Sequence, residues 1–192
     1  MKTFPDPSNS PAHHTRHLRI SVFLPDENAW IRSFQHVESL MVAFEAISRT
    51  SLIPLHGLSP TLKTLHMTHF SVPPSETFSL ICSFPLLEHL TICRWTAENV
   101  NGEWVAPSTS PKFTRTLHLI EQIWPAAPLL LALPDGLHFT RIVLQCSVRD
   151  ARFVMDLVSG CSDTLESLCV DYRFTCVSPF TPEVYHYLTA VS

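Results

Sequence analysis

Apolar residues recur along this chain in short pairs of the form apolar-x-apolar, separated by segments of more variable composition. Successive pairs are 22, 25, 25, 27, 25 and 26 residues apart, counted from their first members. Alternate side chains of a β-strand point to opposite faces, so the two members of a pair share one face and the residue between them lies on the other. The pattern therefore predicts seven short strands. The pairs are Leu18/Ile20, Leu40/Val42, Leu65/Met67, Leu90/Ile92, Leu117/Leu119, Ile142/Leu144 and Leu168/Val170.

An apolar core motif that recurs every 20–29 residues or so is typical of a leucine-rich-repeat solenoid. We therefore expect an α/β fold of about seven repeats, with a parallel sheet on the concave side and helices on the convex side. Residues 1–14 are predicted to be a polar N-terminal tail, 15–173 the solenoid, and 174–192 a C-terminal segment. In that last segment, Thr181-Pro182-Glu183 followed by Val184, Tyr187 and Leu188 predicts a capping helix.

The segments between strands contain local helix signals. Pro73-Pro74-Ser75-Glu76 predicts a helix to about Cys82, with Phe78 and Ile81 facing inward. Ser147 and Asp150 resemble a capping box, and Gly160 is expected to stop the following helix from the C′ position. Phe113 stands one residue earlier than the equivalent apolar residue of other repeats, which predicts a bulge or register shift there.

Composition narrows the functional classes. The 192 residues suffice for one domain, and 45% hydrophobic with 16% charged residues argues against disorder. A net charge of −4 argues against a nucleic-acid-binding surface, and no apolar run is long enough to cross a membrane. Residues 1–12 are polar and lack the apolar core of a signal peptide, and the six cysteines form no C-x-x-C. We therefore expect free thiols and a cytoplasmic or nuclear location.

Four residue runs are more specific than the period. The first is Leu58-Ser59-Pro60-Thr61-Leu62-Lys63-Thr64-Leu65, and the second extends from Val72-Pro73-Pro74-Ser75-Glu76 through Phe84-Pro85-Leu86-Leu87-Glu88-His89-Leu90-Thr91-Ile92. The third is Leu133-Pro134-Asp135-Gly136-Leu137-His138-Phe139, and the fourth is Cys161-Ser162-Asp163-Thr164-Leu165-Glu166-Ser167-Leu168. Together they resemble the leucine-rich region of the large fungal F-box protein family, over about residues 15–172. The resemblance implies a substrate-recognition role in a cullin–RING ubiquitin ligase.

In that family a helical F-box ahead of the repeats docks the adaptor, whereas only about 14 polar residues precede the first repeat here. We therefore expect the chain to join an adaptor–cullin complex only if an F-box is supplied elsewhere. The alternative is a truncated F-box-family product that lacks the adaptor-binding half and has no ligase function.

Catalytic chemistry has little support in the sequence. The chain has no G-x-S-x-G, P-loop, G-x-G-x-x-G or kinase signature, so we expect no enzyme activity and no cofactor. Of its 11 histidines, His66, His89 and His118 are expected to meet on a shallow patch of the sheet. That patch is either a metal or anion site or a set of half-exposed surface histidines. Without an H-x₃-H or H-E-x-x-H spacing, the second interpretation is preferred and no metal site is assigned.

The remaining functional surface is the concave face, which in solenoids commonly binds other macromolecules. Its mixed polar character, with both charge signs, favours a protein target over a nucleic acid or a membrane. The chain is therefore interpreted as a non-catalytic protein-interaction module. The residues expected to be exposed on this face are Arg19, His66, Thr68, His89, Thr91, His118, Arg141, Gln145 and Asp171.

Overall fold

The computed structural model describes residues 10–21, 28–43, 53–58, 60–70, 73–95, 110–121, 123–172 and 186–191. The strands in these ranges are β1 (His17–Ile20), β2 (Ser39–Ala43), β3 (Thr64–Phe70), β4 (His89–Trp95), β5 (Thr116–Ile120), β6 (Arg141–Cys146), β7 (Ser167–Tyr172) and β8 (His186–Val191). The α-helices are α1 (Pro11–His14), α2 (Pro74–Cys82), α3 (Ala127–Leu131) and α4 (Ala151–Gly160). Short 3-10 helices cover Asn28–Ser33, Ile53–Gly57 and Val148–Asp150.

All eight strands belong to one sheet, in the order of the sequence. β1 to β7 pair in parallel, and β8 pairs antiparallel with β7. The predicted α/β class and parallel sheet of seven strands are thus confirmed. The first members of the seven apolar pairs lie side by side in register, in the order Leu18, Leu40, Leu65, Leu90, Leu117, Ile142 and Leu168.

The hydrophobic core lies between one face of this sheet and the helical segments. Leu65 and Leu90 have no exposed surface, and they belong to the same buried cluster as Ile81 of α2, Leu130 of α3 and Leu157 of α4. At the two ends of the parallel series, Leu18 and Leu168 are only partly buried against this cluster. Each of β2 to β6 therefore buries its apolar pair with a strand on either side, and the pairs together form one continuous core.

Helix α2 follows the sequence prediction closely. It begins at Pro74 and ends at Cys82, and both Phe78 and Ile81 are fully buried. Proline suits the first turn of a helix because its missing N–H would have no intrahelical partner there.

Helix α4 matches the prediction at its start but not at its end. The predicted capping box is present, but it caps the 3-10 helix Val148–Asp150 that leads into α4: Asp150 Oδ2 accepts hydrogen bonds from Ser147 N at 3.1 Å and from Ser147 Oγ at 2.9 Å. Gly160, however, is the last helical residue and not a left-handed C′ stop. A Cβ atom at Gly160 would lie 2.9 Å from Cδ2 of Leu131, so this glycine serves the close approach of α3 and α4.

A left-handed residue lies at or next to the C-terminal end of three strands, β3, β4 and β5. His69, Arg94 and Glu121 occupy equivalent positions, four residues after the first apolar residue of each pair, with φ of 51°, 53° and 58°. Regular alternation would place Arg94 in the core and Trp95 outside. The left-handed turn instead leaves Arg94 exposed and buries Trp95 completely, with its ring stacked on Phe78 at a centroid distance of 6.1 Å.

The irregularity predicted at Phe113 is confined to the residues before β5 and does not alter the strand. Phe113 has a φ of 45°, is fully buried, and packs on Phe139 at a centroid distance of 5.0 Å. The strand register is unaffected, since Leu117 pairs with Leu90 as the spacing of apolar pairs predicts.

Both ends of the chain differ from expectation. Residues 186–191 form β8, so the predicted capping helix through Tyr187 and Leu188 is wrong; the edge of β7 is covered by a strand, whose backbone groups complete its hydrogen bonds. The start of that prediction, at residues 181–184, lies outside the described residues. In the predicted polar tail, residues 11–14 form α1, which is capped by Ser10 and buries Ala12.

Candidate functional site

The candidate site is the face of the sheet opposite the core, which we call the open face. It consists of the strand positions that alternate with the buried apolar pairs, and most of these side chains are partly exposed. Its central row takes one residue from each of β1 to β7, in the order Arg19, Met41, His66, Thr91, His118, Val143 and Cys169. A second row on the N-terminal side contains His17, Ser39, Thr64, His89, Thr116, Arg141 and Ser167.

Two half-buried imidazoles lie at the centre of the open face. His66 on β3 and His118 on β5 flank Thr91 on β4, so their Cα atoms are two strand spacings, roughly 10 Å, apart. Burial lowers the pKa of His66 below its ordinary value. Burial also lowers the pKa of His118, and the positive charges of His66 and Arg141 lower it further. Both rings are therefore mainly neutral at pH 7.

The other predicted residues divide between the centre and the ends of this face. His89 lies beside Thr116 in the second row, and Arg141 follows Thr116 on β6. His89 and Thr91 of β4 lie between the strands that carry the two central imidazoles, and Arg141 of β6 lies on the strand next to that of His118. Arg19 is exposed but lies on β1, at the opposite end of the sheet from β7.

Three residues expected to be exposed on this face, Thr68, Gln145 and Asp171, are buried or hydrogen-bonded to another side chain. Thr68 is only 9% exposed and Asp171 only 8%, so their assignment as exposed is wrong. Thr68 has a short side chain between Ala43 and Cys93 of the neighbouring strands. Asp171 lies next to β8 and accepts a hydrogen bond from Gln145 Nε2 at 2.8 Å, which engages the amide of Gln145 as well.

A row of alternating charges borders the open face where the strands begin. One charged residue precedes each of five strands: Arg16, Glu38, Lys63, Glu88 and Arg115. The backbone carbonyl of each accepts hydrogen bonds from two N–H groups at the start of the next strand. Glu38 O, for example, accepts from Lys63 N at 2.9 Å and from Thr64 N at 3.0 Å. Glu38 also pairs with Arg16 and with Lys63, each at 3.9 Å. Because these side chains are about half exposed, each pair contributes at most about 1 kcal/mol. The equivalent spacing of the five residues in the sequence signals this border.

A second charged border lies where the strands end, at the left-handed residues described above. Arg94 Nη1 donates to His69 Nε2 at 3.4 Å, and Arg94 Nε lies 3.5 Å from Glu121 Oε1. Alternation alone would assign Arg94 to the core, so the sequence carries no simple signal for this group.

Candidate chemistry at thiols and metals is limited in the described part of the chain. There, no group of three or more His, Cys, Asp or Glu side chains is placed to hold a metal ion. Burial raises the pKa of Cys82 to about 11, and burial together with Asp150 and Asp171 raises that of Cys146 to about 12. Since the thiolate is the nucleophilic form, these two thiols are unreactive near neutral pH.

Within the described residues, none of the helices is both long and apolar enough to span a bilayer. A comparison of the chain with protein-family models, curated proteins and solved structures finds no match.

Proposed function

We propose that this chain is a non-catalytic leucine-rich-repeat module of the F-box-family type, which binds a protein target on its open face in the cytoplasm or nucleus. In that family the role would be substrate recognition for a cullin–RING ubiquitin ligase. Support comes from the spacing of the apolar pairs, from the residue runs that resemble the family, and from the shared register of the seven parallel strands.

One observation carries the proposal: a broad face of the sheet remains partly exposed while the opposite face is buried. The central row mixes polar residues such as His66 and Thr91 with the apolar Met41 and Val143, all of them partly exposed. Seven strands at about 4.8 Å spacing make this face roughly 30 Å wide. A surface of that width with interspersed apolar side chains suits contact with a protein.

Site-specific photocrosslinking tests the proposal. A photoreactive phenylalanine analogue replaces Thr91 on the open face or, as the control, Met155, which is exposed on α4. Crosslinking is carried out in extract, and the joined peptides are identified by mass spectrometry. We expect protein adducts from position 91 that are absent from position 155. Equal adducts from both positions, or none from position 91, would contradict the proposal.

A further inference from the structure

Charge is distributed unevenly between the open face and the rest of the chain. The chain has a net charge of −4, yet none of its 17 acidic residues lies in β1 to β6. The basic and imidazole side chains on the open face of these six strands are His17, Arg19, His66, His89, His118 and Arg141. This face therefore has the opposite polarity to the molecule as a whole.

The carboxylate of β7 does not cancel this polarity. Asp171 is at the far end of the parallel series, is buried, and accepts the hydrogen bond from Gln145. Both arginines of this face are exposed: Arg141 near its centre and Arg19 at its edge.

We propose that the open face binds an acidic segment of a protein, whose carboxylates pair with Arg19, Arg141 and the central histidines. This inference rests on the proposed function and names the chemistry of its partner. A face roughly 30 Å wide matches an extended segment of about nine residues at about 3.3 Å per residue. Charge complementarity of this kind selects the partner and speeds association.

An acidic protein segment fits the face better than a nucleic acid does. Only two side chains of the face in β1 to β6 carry a permanent positive charge, whereas a phosphate backbone presents a negative charge at every nucleotide. Apolar Met41, Val143 and Ile120 lie among the polar residues and suit a peptide side chain. At the borders, Glu38, Glu88 and Glu121 alternate with basic residues, so neither border presents the continuous positive charge that a long phosphate backbone requires.

The histidines make the binding dependent on pH. In register, His66 lies between Met41 and Thr91, and His118 lies between Thr91 and Val143, none of which is ionisable. The ionisable diagonal neighbours, two positions along the adjacent strands, are His89 and Cys93 of β4 for both histidines and Arg141 of β6 for His118. In the free protein these surroundings disfavour the imidazolium form. A bound carboxylate favours that form, so binding takes up protons and becomes tighter as the pH falls from about 8 to 6.

The experiment begins with a display library of random peptides selected on the immobilised full chain at pH 6.5 and low salt. The most enriched sequence is then synthesised, labelled, and titrated by fluorescence anisotropy. We expect Asp and Glu to be over-represented among the selected peptides. The titration is repeated at pH 8 and with a short single-stranded oligonucleotide as the competing class of ligand.

Matched variants locate the binding surface. Arg141→Gln should weaken the affinity for the peptide about tenfold, and so should a second variant, Arg19→Gln on β1. The double variant His66→Gln with His118→Gln should no longer bind the peptide more tightly at low pH. The controls are Arg149→Gln and His56→Gln, both exposed residues outside the strands. Thermal unfolding followed by circular dichroism confirms that each variant is folded.

The outcomes separate the inference from the proposed function. Acidic peptides that weaken with Arg141→Gln but not with Arg149→Gln support the inference. An absence of binders, binders without excess acid, equal binding to the open-face and control variants, or tighter binding of the oligonucleotide would each overturn it. If no peptide binds, or if the bound peptides have no excess of acidic residues, the proposed function still stands provided that position 91 crosslinks to protein. The proposed function fails if position 91 gives no adduct.

Discussion

At the scale of single residues, stability depends on the fully buried positions where neighbouring strands meet. Leu90 lies between Leu65 and Leu117 and has no exposed surface. We expect Leu90→Ala to lower the free energy of unfolding by about 2–5 kcal/mol, because the lost side chain leaves a cavity shared by three strands. Urea denaturation measures this, with Leu86→Ala as the control because Leu86 is 53% exposed. A loss below about 1 kcal/mol for Leu90→Ala would contradict the packing described here.

A buried hydroxyl offers a change in the opposite direction. Thr77 on α2 is fully buried, and among the described residues its Oγ1 has no hydrogen-bond partner. Because Thr77→Val removes an unsatisfied polar atom at almost constant volume, we expect it to raise the free energy of unfolding by about 1 kcal/mol. The comparison is Thr77→Ala, which removes the same hydroxyl but leaves a void. If valine destabilises as much as alanine, the hydroxyl of Thr77 has a role in the fold.

At the scale of elements, the left-handed residues at the strand ends are positions where glycine should stabilise the protein, although glycine within a strand normally destabilises it. Arg94→Gly should stabilise the protein by about 0.5–1 kcal/mol, because a φ of 53° is strained for a residue with a Cβ atom and free for glycine. The lost contacts with Glu121 and His69 subtract little, since Arg94 is about half exposed. The matched change Thr91→Gly, in the regular part of the same strand, should destabilise. Equal destabilisation by both substitutions would contradict the strain at Arg94.

The C-terminal strand is the second element with a defined expectation. β8 covers the edge of β7 with antiparallel pairing from Tyr172↔His186 to Ser167↔Val191. Deleting residues 186–192 should lower the melting temperature and increase self-association, because exposed strand edges pair with other chains. Differential scanning fluorimetry and size-exclusion chromatography measure the two effects. Deleting residue 192 alone is the control, and an unchanged melting temperature for the longer deletion would show that β8 does not protect the edge.

At the scale of the whole molecule, the lowered histidine pKa values tie stability to pH. The pKa values of His56, His66 and His118 are lower in the folded chain than the ordinary value near 6.5, mainly because of burial. As the pH falls below about 6.5, the unfolded chain binds these protons first, so the free energy of unfolding decreases. Urea titrations at several pH values should show a shallower decrease for the variant with both His66→Gln and His118→Gln than for the parent. An identical pH dependence would contradict this assignment.

The same histidines should therefore act in opposite directions on folding and on binding. Acidification weakens the free protein but, by the proposal above, tightens an acidic peptide. Measuring both quantities on one variant distinguishes loss of the open-face chemistry from general loss of structure.

How far the sequence alone predicts the molecule depends on whether a feature follows from the spacing of apolar residues. The seven apolar pairs predict the order and register of β1 to β7, because a pair can be buried only beside the equivalent pairs of adjacent strands. The central row of the open face, including His66, Thr91 and His118, follows from that register and from strand alternation. The capping box at Ser147 and the start of α2 are equally local, since each depends on residues within one helical turn.

Tertiary structure decided the features in which a local pattern competes with distant contacts. Trp95 is buried and Arg94 exposed because the core beside Phe78 accepts the large ring at the expense of regular backbone alternation. Residues 186–191 form a strand because the edge of β7 supplies hydrogen-bond partners that a local helix signal does not take into account. Asp171 is buried although it alternates with the apolar pair of its strand, and Gly160 is the last residue of α4, at a point where a Cβ atom would lie against Leu131 of α3. Sequence spacing determines which residues share a row, whereas exposure depends on which side chains of other elements lie against them.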